Sequence, residues 1–226
     1  RDGSVTQAML DVLNKAGNRY PPHLDVIRLA TINETVNAVN HQRIELIETD
    51  PKIFKAVYSD GAAKAFGRAL PAETELTLKV GAQVMFIKND DASNNKTSTG
   101  SAIRRWVNGT IGRVVALPKS GLVVVDVDGE QLEVGPATWE KIRYEVEEGF
   151  NESTGETKET LVPVTLAEFK QIPLRLAWAV TIHKSQGQTY DEVQIDMGRG
   201  AFSPGQTYVG LSRVRTLGGL YLTRAV

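Results

Sequence analysis

Apolar positions recur at helical intervals near the start of the chain. Val5, Met9 and Val12 fall on one face with Leu13 beside them, which predicts a helix over 5–15 with Gly17 as its stop. Pro21-Pro22 marks a turn, and Val26-Ile27-Arg28-Leu29-Ala30 reads as a short buried strand. That strand runs into Thr31-Ile32-Asn33, after which the helical pattern returns through Val36, Val39, Ile44 and Ile47. Strand, polar turn and helix in succession are the unit of an α/β sheet. Lys52 to Tyr58 predicts a further strand, ended by Asp60-Gly61.

The period changes in the middle of the chain. Residues 76–80 and 82–87 alternate or run apolar, and the polar stretch from Lys88 to Arg105 reads as a loop. Short strands follow at Trp106–Gly109, Gly112–Leu117, Leu122–Val127 and Gln131–Val134, separated by Asn108-Gly109, Ser120-Gly121 and Asp128-Gly129. Glu147 to Glu159 reads as a hairpin tip or loop. This pattern predicts a small antiparallel β-barrel. The end of the chain returns to α/β: a strand over Leu174–Val180 leads into Thr181–Gly187, and a further strand covers Val193–Asp196. Ser203-Pro204 opens a helix running to about Arg213, the hydroxyl as N-cap and the proline at the first helical position. Gly218-Gly219 then turns the chain into Leu220-Tyr221-Leu222. The expected organisation is a discontinuous α/β domain (1–75 and 172–226) with a β module (76–171) inserted between its halves, and no internal repeat.

Composition narrows the chemistry. A net charge of −1 over 226 residues means that any nucleic-acid site must be a local groove of donors, not a basic surface. The absence of cysteine removes disulfides, thiolate metal sites and cysteine nucleophiles, and fits a reducing cytosol. His23, His41 and His183 are not spaced as metal ligands. No apolar run reaches the ~18 residues of a membrane span, and no signal peptide is visible. The first residues, Arg1-Asp2-Gly3, suggest an excised or trimmed piece.

Two segments carry a family resemblance. Ala179-Val180-Thr181-Ile182-His183-Lys184-Ser185-Gln186-Gly187-Gln188-Thr189 and Tyr208-Val209-Gly210-Leu211-Ser212-Arg213 resemble motifs V and VI of RecD-like or Pif-type superfamily 1 DNA helicases, in order and in spacing. Leu29 to Asn40 is similar to the motif IV region. Gly81-Ala82-Gln83-Val84-Met85 with Val107 to Gly112 resembles the first strands of the family's small inserted barrel. The resemblance covers roughly residues 25–226. It implies the second RecA-like motor domain of such a helicase: a P-loop NTPase-type parallel sheet without the P-loop, carrying an SH3-like antiparallel barrel.

The same resemblance assigns roles. Arg213 takes the arginine-finger position, where a guanidinium reaching across a domain gap neutralises charge developing on a γ-phosphate. Gly187 and Gln188 approach the nucleotide, glycine allowing close backbone approach. Thr181 and His183 face the DNA backbone, where hydroxyl and imidazole grip phosphate without reading sequence. Lys184 either helps to hold phosphate or faces water. Thr31 and Asn33 contact phosphate or, more plainly, cap the following helix. Arg215 is the spare finger, read first as a surface residue. Trp106, Trp139 and Tyr144 are candidates for base stacking, though aromatics in a small barrel usually belong to its core.

The pattern Gly-x-x-x-x-Gly-Lys-[Ser/Thr] does not occur, and Asp191-Glu192 follows polar Gln188-Thr189, not an apolar strand. The resemblance places the phosphate cradle and the Mg²⁺ carboxylates upstream, in the first motor domain. ATP and Mg²⁺ are therefore held mainly elsewhere, and the chain alone is expected not to hydrolyse ATP. The expected partners are single-stranded DNA and the protein's own N-terminal RecA-like domain, with 5′-to-3′ movement and a monomeric state. Other readings are the helicase-like part of a conjugative relaxase, a non-catalytic, nucleic-acid-binding RecA-like relic and an RNA helicase of viral type; a peptide-binding barrel would need an aromatic groove that the sequence does not show.

Overall fold

The computed structural model describes residues 6–23, 25–67, 70–91, 103–151, 156–198, 200 and 205–225. The first helix, α1 (Gln7–Gly17), starts on Thr6, whose hydroxyl accepts the Met9 amide at 3.3 Å. Gly17 is its last residue, not its stop: a Cβ there would come within 2.4 Å of the Leu222 side chain, so glycine lets the helix end lie against the sheet. Met9 and Val12 are exposed, and of the described patterned positions only Leu13 packs on the core. Val5 lies outside the described residues.

β1 (Ile27–Ala30) and α2 (Asn33–Glu45) form the expected unit, α2 burying Asn40 and Ile44. The strand expected over 52–58 is two, β2 (Lys52–Lys55) and β3 (Val57–Tyr58), parted at Ala56, whose amide bonds the Thr74 carbonyl at 2.8 Å. After α3 (Ala62–Phe66) come β4 (Glu75–Leu78), β5 (Gln83–Phe86), β6 (Ile111–Ala116), β7 (Val123–Val127) and β8 (Glu130–Val134). The strand expected at Trp106–Gly109 is a turn, with Thr110 donating to Val107 and Gly109 to Phe86. β9 (Ala137–Asn151) and β10 (Glu156–Gln171) are one long hairpin, so strand extends through most of 147–159. The chain ends with β11 (Leu174–Leu176), β12 (Ala179–Thr181), β13 (Val193–Asp196), α4 (Gln206–Leu211) and β14 (Leu220–Leu222). The expected helix start at Ser203-Pro204 lies outside the described residues, and α4 ends before Arg213.

The architecture is α/β. A four-stranded sheet runs β12-β1-β13-β14 with every ladder parallel. Its apolar positions are buried, with α2 lying on β12 and β1 and α1 on β14. The expected barrel is a five-stranded antiparallel sheet, β11-β5-β6-β7-β8, with β11 and β8 as its edges. Separate ladders join β2 to β4 and β3 to β10.

Two apolar clusters fill the fold, and β5 lies between them. Val84 and Phe86 belong to the antiparallel-sheet core, while Met85 packs with Leu29, Val180 and Ile195 under the parallel sheet. The period-2 alternation of a strand buried on both faces produces this division. The single strand expected over 174–180 is instead β11 in one sheet and β12 in the other. Two buried amides hold the crossing. Asn40 receives the Ala179 N–H and donates to the Ala179 carbonyl, both at 2.9 Å, and Gln83 donates to the Ala177 carbonyl at 3.0 Å.

Candidate nucleic-acid interface

Parallel pairing decides where the polar residues meet. β1 and β12 are neighbours with Ala30 opposite Thr181, so both strands end at the same edge of the sheet. Carboxyl ends of parallel strands are where open α/β sheets bind ligands. From the segments leaving these ends, Thr31-Ile32-Asn33 together with Thr181, His183 and Lys184 line one open groove of about 580 Å³ with Gln206. All five residues singled out for strand contact, Thr31, Asn33, Thr181, His183 and Lys184, are in it.

Their surroundings differ. Thr31 and Thr181 are buried, at 9% and 7% exposure. Capping does not occupy the first segment: the N-cap of α2 is Ile32, with no side-chain cap bond. Asn33 and His183 are exposed, and neither side chain bonds a described residue. After Thr181 the chain makes linked turns, not the start of a helix. The Ser185 amide donates to the Thr181 carbonyl, the Gln188 amide to Ser185, and the Ser185 hydroxyl to Ile182 at 2.7 Å. The Thr181 hydroxyl also accepts the Lys184 amide at 3.4 Å.

Gly187 holds φ +85, with nothing within 4 Å of the Cβ position, so an anion has clear access to this backbone. Gln188 faces elsewhere. Its side-chain amide donates to the Asn108 carbonyl at 2.9 Å and lies over Gly109, where a Cβ would come within 2.1 Å of it. The Gln188 carbonyl receives Arg213 Nη1 at 3.0 Å. Arg213 is half-buried in the turn beyond α4, its Nε on the Val209 carbonyl at 2.9 Å and its Nη2 on the Ser212 hydroxyl at 2.8 Å. Its backbone pairs with Tyr190. Burial pushes the Tyr190 phenol up to about 12, with the Arg213 charge acting the other way. Arg215 is exposed and paired with Asp191 at 2.6 Å. Glu192 is held by Tyr221 and His23.

The aromatic candidates separate. Trp106 stacks on Phe86 at 4.6 Å within the core, and Trp139 packs edge-on against Phe169 with Lys88 over its face. Tyr144 is 66% exposed on the hairpin, away from the groove. Sequence reasoning missed Arg175, which lines two depressions continuous with the groove, and Asn40, which fixes the crossover beneath it. The alternation of β11 gave no sign of Arg175, and Asn40 falls on the apolar stripe of α2.

No protein-family model matches the chain. An ATP-dependent DNA helicase Pif1 of Bdellovibrio bacteriovorus is 30% identical over 224 residues, covering 98% of this chain and 44% of that protein. The structure of unliganded Pif1 from Bacteroides sp. superposes with a TM-score of 0.75 at 30% identity, covering 98% of this chain and 46% of the other. Bacteroides Pif1 in complex with ADP-AlF3 and single-stranded DNA gives a TM-score of 0.68 at 29% identity, with the same coverage. The chain thus spans less than half the length of the relatives it matches. Its relatives over this span are Pif1 helicases, and the chain shares their RecA-like architecture.

Proposed function

We propose that the chain is the second RecA-like half of an ATP-dependent DNA helicase, gripping single-stranded DNA by its backbone and lending an arginine to a nucleotide held mainly by the first half. The groove at the ends of β1 and β12 carries this reading, because it gathers all five strand-contact candidates. Two hydroxyls, an amide, an imidazole and one ammonium suit phosphodiester oxygens and carry no base code. The Bacteroides relative in complex with ADP-AlF3 and single-stranded DNA supports it.

Within that reading, residues 1–75 and 172–226 form the motor half and 76–171 the inserted module, with β2 on β4 and β11 on β5 joining the two. Gly187, Gln188 and Arg213 form this chain's edge of the ATP site. ATP, when bound, supplies the phosphoryl transfer that drives closure and reopening of the two halves. Arg213 reaches that site by leaving the Gln188, Val209 and Ser212 oxygens, and the exchange couples the motif V loop to nucleotide state. Among the described residues no cluster of His, Asp or Glu fits a metal, and no helix is long and apolar enough to cross a membrane. Mg²⁺ would be held mainly by the first half, and the cytoplasm is the proposed compartment. Movement is 5′ to 3′, by a monomer whose two halves alternately tighten on the strand.

Anisotropy of a labelled oligothymidylate tests the groove directly. The Asn33→Ala/His183→Ala double variant should bind the strand about 30-fold more weakly, at roughly 1 kcal/mol for each lost contact. Arg215→Ala, outside the groove, should bind within about 2-fold of the parent. A parent chain that fails to bind, or a double variant that binds equally, overturns the reading.

A further inference from the structure

The crossover between the two sheets holds a cation that neither sheet satisfies. Arg175 lies in β11, one residue before the chain begins to leave the antiparallel sheet. Its side chain is half-buried, and its Nε is buried without a hydrogen-bond partner among the described residues. None of the described ion pairs includes it. Arg175 lines two depressions, one against α2 with Asn37 and Glu73, the other against the antiparallel sheet with Asn108 and Gly187. Lys184 lines both of these and the strand groove as well, so the three depressions meet at its side chain.

This grouping costs the folded chain free energy while it holds no anion. Burial pulls the Arg175 pKa down, and the Glu73 carboxylate only partly opposes it. Lys184 is lowered by burial first and by the Arg175 charge second, with Glu73 again opposing. Half-buried Arg175 and exposed Lys184 thus share one exposed carboxylate as counter-charge. A buried guanidinium N–H with no acceptor is a free donor. The backbone that carries it is anchored, because Gln83 bonds the Ala177 carbonyl and Asn40 both groups of Ala179. A planar fork of N–H donors beside an ammonium matches the oxygens of a phosphodiester.

We propose that Arg175 and Lys184 form a site for a backbone phosphate of single-stranded nucleic acid, continuing the groove of Thr31, Asn33, Thr181 and His183 along the seam between the two sheets. It rests on the strand-binding reading above and extends the contacted strand toward Asn108. Arg175 is a binding residue here, and Glu73 a counter-charge that the incoming phosphate opposes.

The test is oligothymidylate affinity of the 226-residue chain as a function of salt. Loss of one ionic phosphate contact reduces the slope of log K against log salt by about 0.7 for single strands. Arg175→Gln should show that reduction and bind about 3–10-fold more weakly at low salt. Arg175→Lys should keep the slope. Glu73→Gln, at an exposed position that leaves the fold intact, should bind about 2–5-fold more tightly, so the proposal stays testable even if Arg175→Gln unfolds. An unchanged slope in Arg175→Gln, or unchanged or weaker binding in Glu73→Gln, overturns the proposal. If the Asn33→Ala/His183→Ala variant nevertheless loses affinity, the groove reading survives and only this extension fails. Phosphorus NMR with inorganic phosphate separates the other source of the same chemistry. Saturable phosphate binding that Arg175→Gln abolishes, with strand affinity untouched, would make this a small-anion site and also overturn the proposal.

Discussion

In the antiparallel half of the molecule, the charged groups beside Trp106 are consumed by each other. Asp90 takes the Arg105 guanidinium at 2.9 and 3.2 Å and the Arg105 amide at 3.0 Å, and the guanidinium in turn lies 4.5 Å over Trp106. In the parallel half, Thr31, Asn33 and His183 end their strands without side-chain hydrogen bonds to any described residue. Topology accounts for the contrast. An antiparallel strand turns straight back on its neighbour, and the turn's polar groups close on the ladder. A parallel strand must leave its sheet, and neighbouring strands do so at the same edge, which collects polar groups with nowhere to bond. The functional groups therefore gather where the fold leaves donors over.

Arg213 sharpens this contrast most, because it stands in the parallel half yet is fully engaged, with bonds to Val209, Gln188 and Ser212. On the motor reading those bonds are a resting state. In a protein containing both motor halves, Arg213→Ala should lower ATP turnover by about 10³-fold or more, the magnitude typical of an arginine finger. Strand affinity measured in parallel should stay within about 3-fold, since Arg213 lines none of the groove. A matched loss of turnover and binding would show that the side chain holds the motif V loop together and does not reach nucleotide.

The junction between the halves comes next. Asn40 bridges both hydrogen-bonding groups of Ala179, so Asn40→Ala strands a buried N–H and a buried C=O at once. Each unsatisfied buried group costs about 1–3 kcal/mol, giving an expected loss of roughly 2–6 kcal/mol in urea unfolding. A loss below about 0.5 kcal/mol would mean that the crossover holds without the amide.

The sequence showed the parallel half more completely than the antiparallel one. Strand ends followed by Thr-x-Asn and Thr-x-His-Lys are visible in the chain, and pairing of β1 with β12 made them neighbours. Hidden from that reading was anything set by one strand changing sheets. Leu174 to Val180 is one apolar run, and only the three-dimensional path divides it at Ala177-Trp178 and turns Arg175 into the seam. The extent of the long hairpin was also missed: the polar stretch from Glu147 to Glu159 reads as a hairpin tip or loop, and strand covers most of it.

The smallest expected effect tests whether the antiparallel half is as self-contained as it looks. Burial alone would raise the Asp90 pKa, but the hydrogen bonds and charge of Arg105 outweigh it and hold the carboxyl below the usual range. A depressed folded-state value means that the pair stabilises the fold above the unfolded-state value, about 3.9. That contribution fades as the pH falls through it and then through the lower folded-state value. Asp90→Asn should therefore cost about 1–3 kcal/mol at pH 7, discounted toward the low end because Arg105 remains partly exposed. Below the folded-state value the variant and the parent should converge, so urea midpoints at pH 7 and in strong acid show a gap that closes. A gap of equal size at both ends would place the cost in packing around Trp106 and not in the ion pair. Strand affinity at pH 7 should not change, because Asp90 lies outside the depressions that meet at Lys184. A change there would break the division between a half that binds and a half that only supports it.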